Sequence, residues 1–436
     1  MTEFPVGWVT RPLSECVSAL IDYRGRSPAK TKEGVPLITA KIVKDGRILT
    51  PREYVANEDY DTWMRRGIPH PGDVVVTTEA PLGEVAQLGA TKVALAQRLI
   101  TLRGKKGILD NGFLKYAMLS SFVQDQLKAR SSGTTVLGIR QTELRKISLP
   151  LPPILEQESI SRILGCLDRK IALNQGMNEF LEEIFRALFR SWFVDFDPVR
   201  DKAKGKWKKG MSLLGIPSDL WDFWPSELEK SEIGEIPKGW FVRTLGNVAE
   251  LANQLVNPDS VDPSLPYVGL EHFEPRHLTI YRPGKMAEVK TAKLRFKAGD
   301  FLFGRLRPYF HKVAVTCEDG YASTTAAVVR PSAPTWYAFV LGHLDSDAFI
   351  DYAAANSNGT TMPTVSGRDM LDYKIAMPSG QVLAERCNGA VLPLIERIRA
   401  NAMECQTLSA ARDTLLPKLL SGEVRVPQHG KLGGAA

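Results

Sequence analysis

The chain has 436 residues, 44% hydrophobic and 24% charged, a balance typical of a soluble globular protein with about three domain-sized units. Its five cysteines have no ligand spacing, so they indicate neither a disulfide framework nor a zinc site and fit a reducing compartment. The formal charge of +7 suits a nucleic-acid partner without requiring one. We find no signal sequence and no apolar run near the roughly 18 residues of a membrane span, and we expect a cytoplasmic protein.

The sequence contains an internal repeat. Residues 7–13, Gly-Trp-Val-Thr-Arg-Pro-Leu, are matched by residues 239–245, Gly-Trp-Phe-Val-Arg-Thr-Leu. In each half a Gly-Asp turn then leads into a run of β-branched or aromatic residues, at Asp73 and at Asp300, which predicts a strand. The offset between the halves drifts from 232 to 226 positions, as expected if loops differ while the scaffold is kept.

Each half continues with the same order of elements. Residues 113–129 and 336–355 have the apolar periodicity of helices, and each stretch is followed by Gly-Thr-Thr, at 133–135 and 359–361. A short predicted strand closed by proline comes next, at residues 147–150 and 375–378. We therefore predict two related mixed α/β domains.

A long helix with a coiled-coil seam is predicted after each domain. The first covers residues 156–192, with a seam spacing that alternates between four and three residues: Ile160, Leu164, Leu167, Ile171, Asn174, Asn178, Leu181, Phe185 and Leu188. A single apolar stripe of this kind is more often a core helix of its own domain.

The second helix repeats the first 227 positions later. Its seam is formed by Val391, Leu394, Ile398, Asn401, Cys405, Leu408, Leu415 and Leu419, with Arg412 at the remaining position. Asn174 and Asn401 occupy matching positions, where a buried amide can set the register of a helix pair at some cost in stability. The repetition favours a spacer formed by two helices over two separate core helices.

These elements predict an α+β protein with two domains in tandem repeat, separated by an antiparallel coiled coil of two helices with a pseudo-twofold axis. Antiparallel helices are preferred because consecutive elements tend to lie next to each other. The expected boundaries are a first domain at 1–153, a first spacer helix at 154–195, a linker at 196–238, a second domain at 239–380, a second spacer helix at 381–421 and a tail at 422–436. The linker carries a basic run, which is either a solvated segment or an auxiliary phosphate contact: Arg200, Lys202, Lys204, Lys206, Lys208 and Lys209.

We find no sequence motif for catalysis. No Asn/Asp-Pro-Pro-Tyr/Phe tetrapeptide of an amino methyltransferase is present, and residues 205–210 imitate a phosphate-binding loop but are followed by Met211 instead of its lysine. Pro258, Asp259 and residues 288–290 only loosely suit a nuclease signature, and the six histidines lack metal-ligand spacing.

A resemblance to a known family rests on residues 133–153 with Glu156 and Gln157, and on residues 192–198, 231–240, 303–309 and 415–426. In their sequence and in their order along the chain, these segments resemble the specificity subunits of type I restriction-modification systems. The resemblance covers most of the chain. Arg412 departs from the family's apolar preference in the second seam.

The resemblance implies a non-catalytic subunit whose two target-recognition domains each read half of a split site in double-stranded DNA. It also implies that the paired helices hold these domains apart and bind two adenine methyltransferase subunits, to which two restriction subunits can add. The chain itself would need no cofactor or metal, whereas the partner subunits would use S-adenosylmethionine, ATP and magnesium.

The candidate DNA contacts come from comparing the halves. Pro81 matches Pro308, but the residues beside them differ, as two readers of different sequences require. Arg305 and Arg307 alternate, so on a strand they would share one face with Tyr309, where arginine can pair with guanine or phosphate. The further candidates are Thr78, Glu79, Arg98, Thr134, Thr135 and Arg140 in the first half and Thr360, Thr361 and Arg368 in the second.

Each of these residues also has an ordinary explanation, namely a solvated strand face, a surface charge or a turn whose hydroxyls bond to local backbone. Two other functions are open. A coiled-coil scaffold or protein-interaction module would explain the paired helices. It would not explain why the duplicated basic domains have diverged loops. A nuclease or methyltransferase would rest on the weak motifs alone.

Overall fold

The computed structural model describes residues 4–23, 25, 27–134, 136–213, 215–257, 261–288 and 291–426. These form two compact units. The first unit comprises the chain up to Arg169 together with residues from Leu408 onward, and the second unit comprises Lys170–Thr407.

The first unit contains a four-stranded antiparallel sheet against which helices pack. Its strands are β1 Val9–Pro12, β2 Val17–Asp22, β3 Val35–Ile38, β4 Val43–Lys44, β5 Arg47–Ile48, β6 Tyr54–Val55, β7 Val74–Thr78, β8 Leu82–Gln87, β9 Ala94–Leu95, β10 Leu99–Gly104 and β11 Ser148–Leu151. The helices are α1 Leu13–Cys16, α2 Tyr60–Trp63, α3 Asn111–Leu119, α4 Ser121–Ala129, α5 Gln141–Leu144 and the start of α6, Ile154–Phe193. The main sheet has the order β2-β10-β7-β8, and β1 pairs with β11.

The second unit repeats this order of elements. Its strands are β12 Leu228–Ser231, β13 Gly234–Pro237, β14 Phe241–Thr244, β15 Ala249–Leu251, β16 Leu255–Val256, β17 Pro266–Val268, β18 Gly284–Lys285, β19 Lys293–Phe296, β20 Phe301–Gly304, β21 Val313–Val315, β22 Gly320–Ala322, β23 Ala326–Pro331, β24 Ser357–Asn358, β25 Thr364–Val365 and β26 Lys374–Met377. Its helices are α7 Asp197–Ala203, α8 Tyr337–Leu344, α9 Asp347–Ala355, α10 Gly367–Leu371 and most of α11, Val382–Ser421. The sheet β15-β23-β20-β21 corresponds to β2-β10-β7-β8, and β14 pairs with β26 as β1 does with β11.

The repeat extends to buried side chains. Asp73 immediately precedes the interior strand β7 of the first sheet and accepts two hydrogen bonds of 2.8 Å from Arg103. In the second sheet, Asp300 accepts two hydrogen bonds of 2.7 Å from Arg330. Asp300 and Arg330 each lie 227 positions after their counterparts in the first sheet. Paired, bidentate contacts of this kind satisfy a buried carboxylate, so the two Gly-Asp turns have the same structural purpose.

Each predicted domain helix is in fact two helices. Ser120 follows α3 and caps α4 by accepting a hydrogen bond from Val123 N. Ser346 lies between α8 and α9 and caps α9 by accepting a hydrogen bond from Phe349 N. A residue with an extended backbone, whose hydroxyl caps the next helix, interrupts the helical hydrogen bonds. The spacing of the apolar residues in the sequence continues across it. The apolar periodicity therefore predicted the buried faces correctly but not the break.

Helices α6 and α11 each contain 40 residues and each contributes to both units. Within the second unit, the pairs Ile171–Cys405 and Asn178–Asn401 show that the two helices are packed antiparallel. Within the first unit, Asp168 contacts Arg412 in the same sense. The predicted α+β class, with two β-rich domains and paired long helices, is confirmed. Along the described residues, no helix has both the length and the apolar character needed to cross a membrane.

Candidate nucleic-acid interface

In the second unit, the segment after β20 is joined to the Gly-Thr-Thr loop. Arg307 N donates to Pro363 O at 2.7 Å, and Val365 N donates to Arg305 O at 3.1 Å. These backbone contacts bring Arg305, Arg307 and Thr361 together, although more than 50 positions separate the arginines from the threonine in sequence. The structure therefore groups three of the predicted contact residues on one surface.

The predicted strand row of Arg305, Arg307 and Tyr309 is wrong. Strand β20 ends at Gly304, and Arg307 has a left-handed backbone with φ of 51° just before a 3-10 helix at Pro308–Phe310. The reason is that Pro308 cannot continue a strand ladder, and the segment pairs instead with the loop around Pro363. Tyr309 is exposed on that short helix, so the three side chains are neighbours without sharing a strand face.

Both arginines are positioned by backbone carbonyls. Arg305 Nη2 donates to Thr324 O at 2.7 Å, and Arg307 Nη2 donates to Thr361 O at 3.2 Å. A guanidinium has five N–H donors, so these bonds orient each group and leave other donors unused, although both arginines are partly buried and Arg305 Nε is inaccessible. Such an arrangement is suited to a bidentate acceptor, either a guanine edge or a phosphate.

The first unit repeats this backbone contact between the end of the strand and the Gly-Thr-Thr loop, and we call the shared arrangement the backbone frame. Ile139 N donates to Thr78 O at 3.0 Å, as Val365 N does to Arg305 O, and Thr78 N donates to Arg98 O at 3.0 Å. Thr78 itself is buried, with 1% of its surface exposed. Its side chain is therefore not accessible to DNA in the structure described, because both faces of strand β7 are covered.

The side chains presented by the first frame are different from those of the second. Glu79 pairs with Gly138 of the loop and forms a salt bridge of 3.0 Å with Arg98, both side chains being nearly half exposed. Thr134 and Arg140 are exposed on the two sides of the same loop. Thr135 lies outside the described residues. The first unit therefore presents the accessible ion pair of Glu79 and Arg98 at the place where the second unit presents arginines that donate to backbone carbonyls.

The remaining candidates of the second unit lie on the loop and on α10. Thr360 and Thr361 are exposed, and Thr364 Oγ1 donates to Met362 O at 3.0 Å. Arg368 is exposed on α10, where its closest ionic partner is Asp372 at 3.8 Å. Thr360 and Thr361 are therefore accessible, whereas Arg368 is an exposed surface charge on the helix that follows the loop.

Part of the linker's basic run is used for packing, whereas Lys204, Lys206 and Lys208 are exposed. Lys202 Nζ donates to Trp221 O at 2.9 Å and Trp224 O at 2.6 Å, and Lys209 pairs with Asp222. Burial lowers the pKa of Lys202. Trp207 and Trp224 are buried in the core of the second unit. These contacts favour a docked segment over a phosphate-binding one.

Amides and carboxylates occupy the helix seam in the second unit. Asn178 Nδ2 donates to Ile398 O at 3.0 Å and Tyr281 Oη at 3.1 Å, and Asn401 Nδ2 donates to Asn178 Oδ1 at 2.9 Å. Asn174 Nδ2 donates to Glu404 at 2.7 Å, which lowers the pKa of that carboxyl. Each amide of α6 therefore has a specific partner on α11, as register control requires.

In the first unit, Arg412 belongs to an ionic cluster. Its guanidinium contacts Asp168 at 3.1 Å, and the same carboxylate accepts from Lys115 and from Tyr116 Oη. Burial alone would raise the pKa of Asp168, but the Lys115 ammonium and the hydrogen bonds lower it overall. The polar residue that interrupts the second seam is thus compensated by a domain that packs on the helices.

The other seam residues are buried or partly buried. Those fully buried are Ile160, Leu164, Ile171, Phe185, Val391, Ile398, Cys405 and Leu419, and those partly buried are Leu167, Leu181, Leu188, Leu394, Leu408 and Leu415. The pattern missed Glu182, which is buried and accepts a 2.9 Å hydrogen bond from Leu278 N. A carboxylate in a helix resembles a surface residue in sequence, and no local signal distinguishes this one.

Comparisons with known proteins agree with the geometry. Residues 5–183 match the family model described as type I restriction modification DNA specificity domain. The chain is 25% identical over 383 residues to the type I restriction enzyme MjaIX specificity subunit of Methanocaldococcus jannaschii, covering 82% of this chain and 78% of that protein. It is 23% identical to the type I restriction enzyme HindI specificity subunit of Haemophilus influenzae, and the match covers 72% of this chain and 77% of that protein.

A solved structure shares the fold. The type I restriction-modification S subunit from M. genitalium superimposes with a TM-score of 0.56 at 17% identity, covering 96% of this chain and 97% of that one. The specificity subunits of that family are non-catalytic. Among the residues that the structure describes, no group of three His, Cys, Asp or Glu side chains could hold a metal ion. From the duplicated domains, the paired helices and these matches together, we conclude that the chain belongs to the specificity subunits of type I restriction-modification systems.

Proposed function

We propose that the chain reads a bipartite sequence in double-stranded DNA, one half-site with each β-rich domain. The observation that supports this most directly is the shared backbone frame with different side chains. The contact of Ile139 N with Thr78 O is repeated by Val365 N with Arg305 O, yet one frame presents a Glu79–Arg98 pair and the other presents two arginines. A common scaffold with different accessible donors and acceptors suits two different base sequences.

Partner subunits are proposed to dock on the face of α6 opposite the seam. In the second unit, Leu173, Met177 and Phe180 lie one helical turn apart and are 60, 40 and 61% exposed. A stripe of large apolar side chains on a helix already paired with another is typical of a further helix–helix interface. We assign this stripe to the two adenine methyltransferase subunits, which can be joined by two restriction subunits.

The chemistry in this proposal belongs to the partners. The chain needs no cofactor or metal of its own, and the assembled complex uses S-adenosylmethionine for methylation and ATP with magnesium for restriction. The chain's contribution is to select the site and to hold the partners on it.

The main experiment maps methylated adenines in DNA treated with the chain plus methyltransferase subunits. We expect one bipartite sequence, and we expect the chain alone to bind duplexes with salt-sensitive affinity but to methylate nothing. Methylation by the chain alone would contradict the proposal. Salt-insensitive binding without sequence preference would favour a scaffold instead.

The docking surface has its own test. Replacing Met177 and Phe180 by glutamate should abolish co-purification of methyltransferase subunits while leaving DNA binding by the chain unchanged. An Arg162→Ala variant, also exposed on α6, is the matched control and should assemble normally. Normal assembly of the glutamate variant would mean that the partners bind elsewhere.

A further inference from the structure

Both units present a large apolar side chain at the tip of the Gly-Thr-Thr loop. Val136 is 53% exposed and its neighbour Leu137 is 47% exposed, whereas Met362 in the second unit is 62% exposed. Val136 and Met362 occupy the same position, three residues after Gly133 and Gly359. Single exposed hydrophobic residues are common on protein surfaces. The recurrence of one directly after Gly-Thr-Thr in both loops requires an explanation of its own.

The loops hold these side chains outward. Gly133 has φ of 115°, and a Cβ atom there would lie 2.2 Å from Val136 O, so the turn is closed too tightly for any other residue. Ser132 and Gly138 exchange two backbone hydrogen bonds of 2.8 and 2.9 Å at the base of this loop. In the second unit, β24 and β25 close the corresponding loop, and Gly359 has φ of 98°. The described residues at the base of each loop therefore form closed turns that place the apolar side chains at the surface.

Polar recognition groups flank each tip. In the first unit, Gly138 of the loop pairs with Glu79, which holds Arg98. In the second unit, Arg307 donates to the carbonyl of Thr361, directly before Met362. An occupant of this surface must offer acceptors for guanidinium groups and, between them, an apolar contact.

Duplex DNA offers this combination in its major groove. Base edges and phosphates accept from arginine, and the thymine C5-methyl group is the apolar feature among them. A second protein would not be expected to match charged groups that differ so strongly between the two units. The basic charge of the chain also favours a polyanion.

We propose that Val136 and Met362 each contact a thymine methyl group in the half-site read by their own domain. The apolar tip contributes to base selection, and the neighbouring arginines contribute hydrogen bonds to bases or phosphates. This inference rests on the proposed function, because it needs the two half-sites that the chain is proposed to read.

The test uses substitutions that keep shape and change polarity. Val136→Thr and Met362→Gln are compared with the wild-type chain on duplexes in which each thymine of the mapped target is replaced in turn by deoxyuridine, which removes only the methyl group. We expect one replacement in each half-site to weaken wild-type binding about fourfold, the effect of one buried methyl-sized group. The Val136→Thr chain should lose this sensitivity in one half-site and Met362→Gln in the other.

Matched controls keep the outcome interpretable. Val424→Thr and Met403→Gln make the same chemical changes at exposed positions away from the loops and should retain the wild-type response to deoxyuridine. Met362→Gln and Arg305→Ala must act on the same half-site, because one frame carries both residues.

Two results would overturn the inference. Wild-type binding could be unaffected by deoxyuridine at every thymine, or the loop variants could keep the wild-type response. In either case specific binding to a bipartite target would remain, so the proposed function would stand. If the chain showed no sequence-specific binding, the proposed function would fail and this inference with it.

Discussion

The buried amide pair of the helix seam allows a quantitative prediction. Replacing Asn178 by leucine removes the acceptor of Asn401 Nδ2 and the donors to Ile398 O and Tyr281 Oη, in a site where Asn178 is fully buried. An orphaned buried donor costs about 1–3 kcal/mol, and a lost hydrogen bond about 1 kcal/mol. Since the added leucine recovers part of this by apolar burial, we expect a net loss of about 2–3 kcal/mol in unfolding free energy.

The partner substitution makes the prediction sharper. Asn401→Leu should also destabilise the protein, but the double variant should be less destabilised than the sum of the two, with a coupling of about 1–2 kcal/mol, because no buried amide is left unpaired. Urea unfolding monitored by tryptophan emission reports on the second unit, which contains six of the eight tryptophans. Additive single effects, within about 0.5 kcal/mol, would refute the assignment of these residues as a coupled register pair.

Three further predictions concern recognition, pH and length. Arg305→Ala with Arg307→Ala should relax sequence preference in one half-site only, measured by methylation mapping; equal losses in both halves would indicate phosphate contacts alone. Burial lowers the pKa of His343 from 6.5 to about 3. Below pH 6.5 the unfolded chain therefore binds a proton that the folded chain does not, so the free energy of unfolding should fall as the pH decreases from 6.5 to about 3. His343→Phe should reduce this slope in thermal unfolding. Inserting four residues at facing positions of α6 and α11 lengthens each helix by about 6 Å. The mapped gap between the half-sites should then widen by about two base pairs. An unchanged gap would mean that the helices do not set the distance between the half-sites.

The internal repeat made the fold predictable from sequence. Matching Gly-Asp turns and matching helix periods are local patterns, and a buried face at 3.6-residue spacing is visible before any contact is known. The structure accordingly contains α6 at Ile154–Phe193 and α11 at Val382–Ser421, with corresponding four-stranded sheets. Capping serines at 120 and 346 are also local, but their hydroxyls compete with the helix in a way that periodicity does not reveal.

The candidate interface was less predictable because its geometry is set across long sequence separations. Arg307 has a left-handed backbone where the loop at Pro363 pairs with it. Thr78 is buried because separate hydrophobic clusters cover the two faces of β7. Neither fact can be inferred from neighbours in sequence.

The sequence by itself thus determined the duplicated α+β architecture, the helix pair and the family, since these depend on residue periodicity and repeated motifs. Only the tertiary structure decided which of the candidate side chains are exposed, since exposure depends on what packs around each residue. Glu182 shows the difference most clearly: a helical carboxylate that sequence assigns to solvent is buried, because the backbone of Leu278 reaches it with a hydrogen bond.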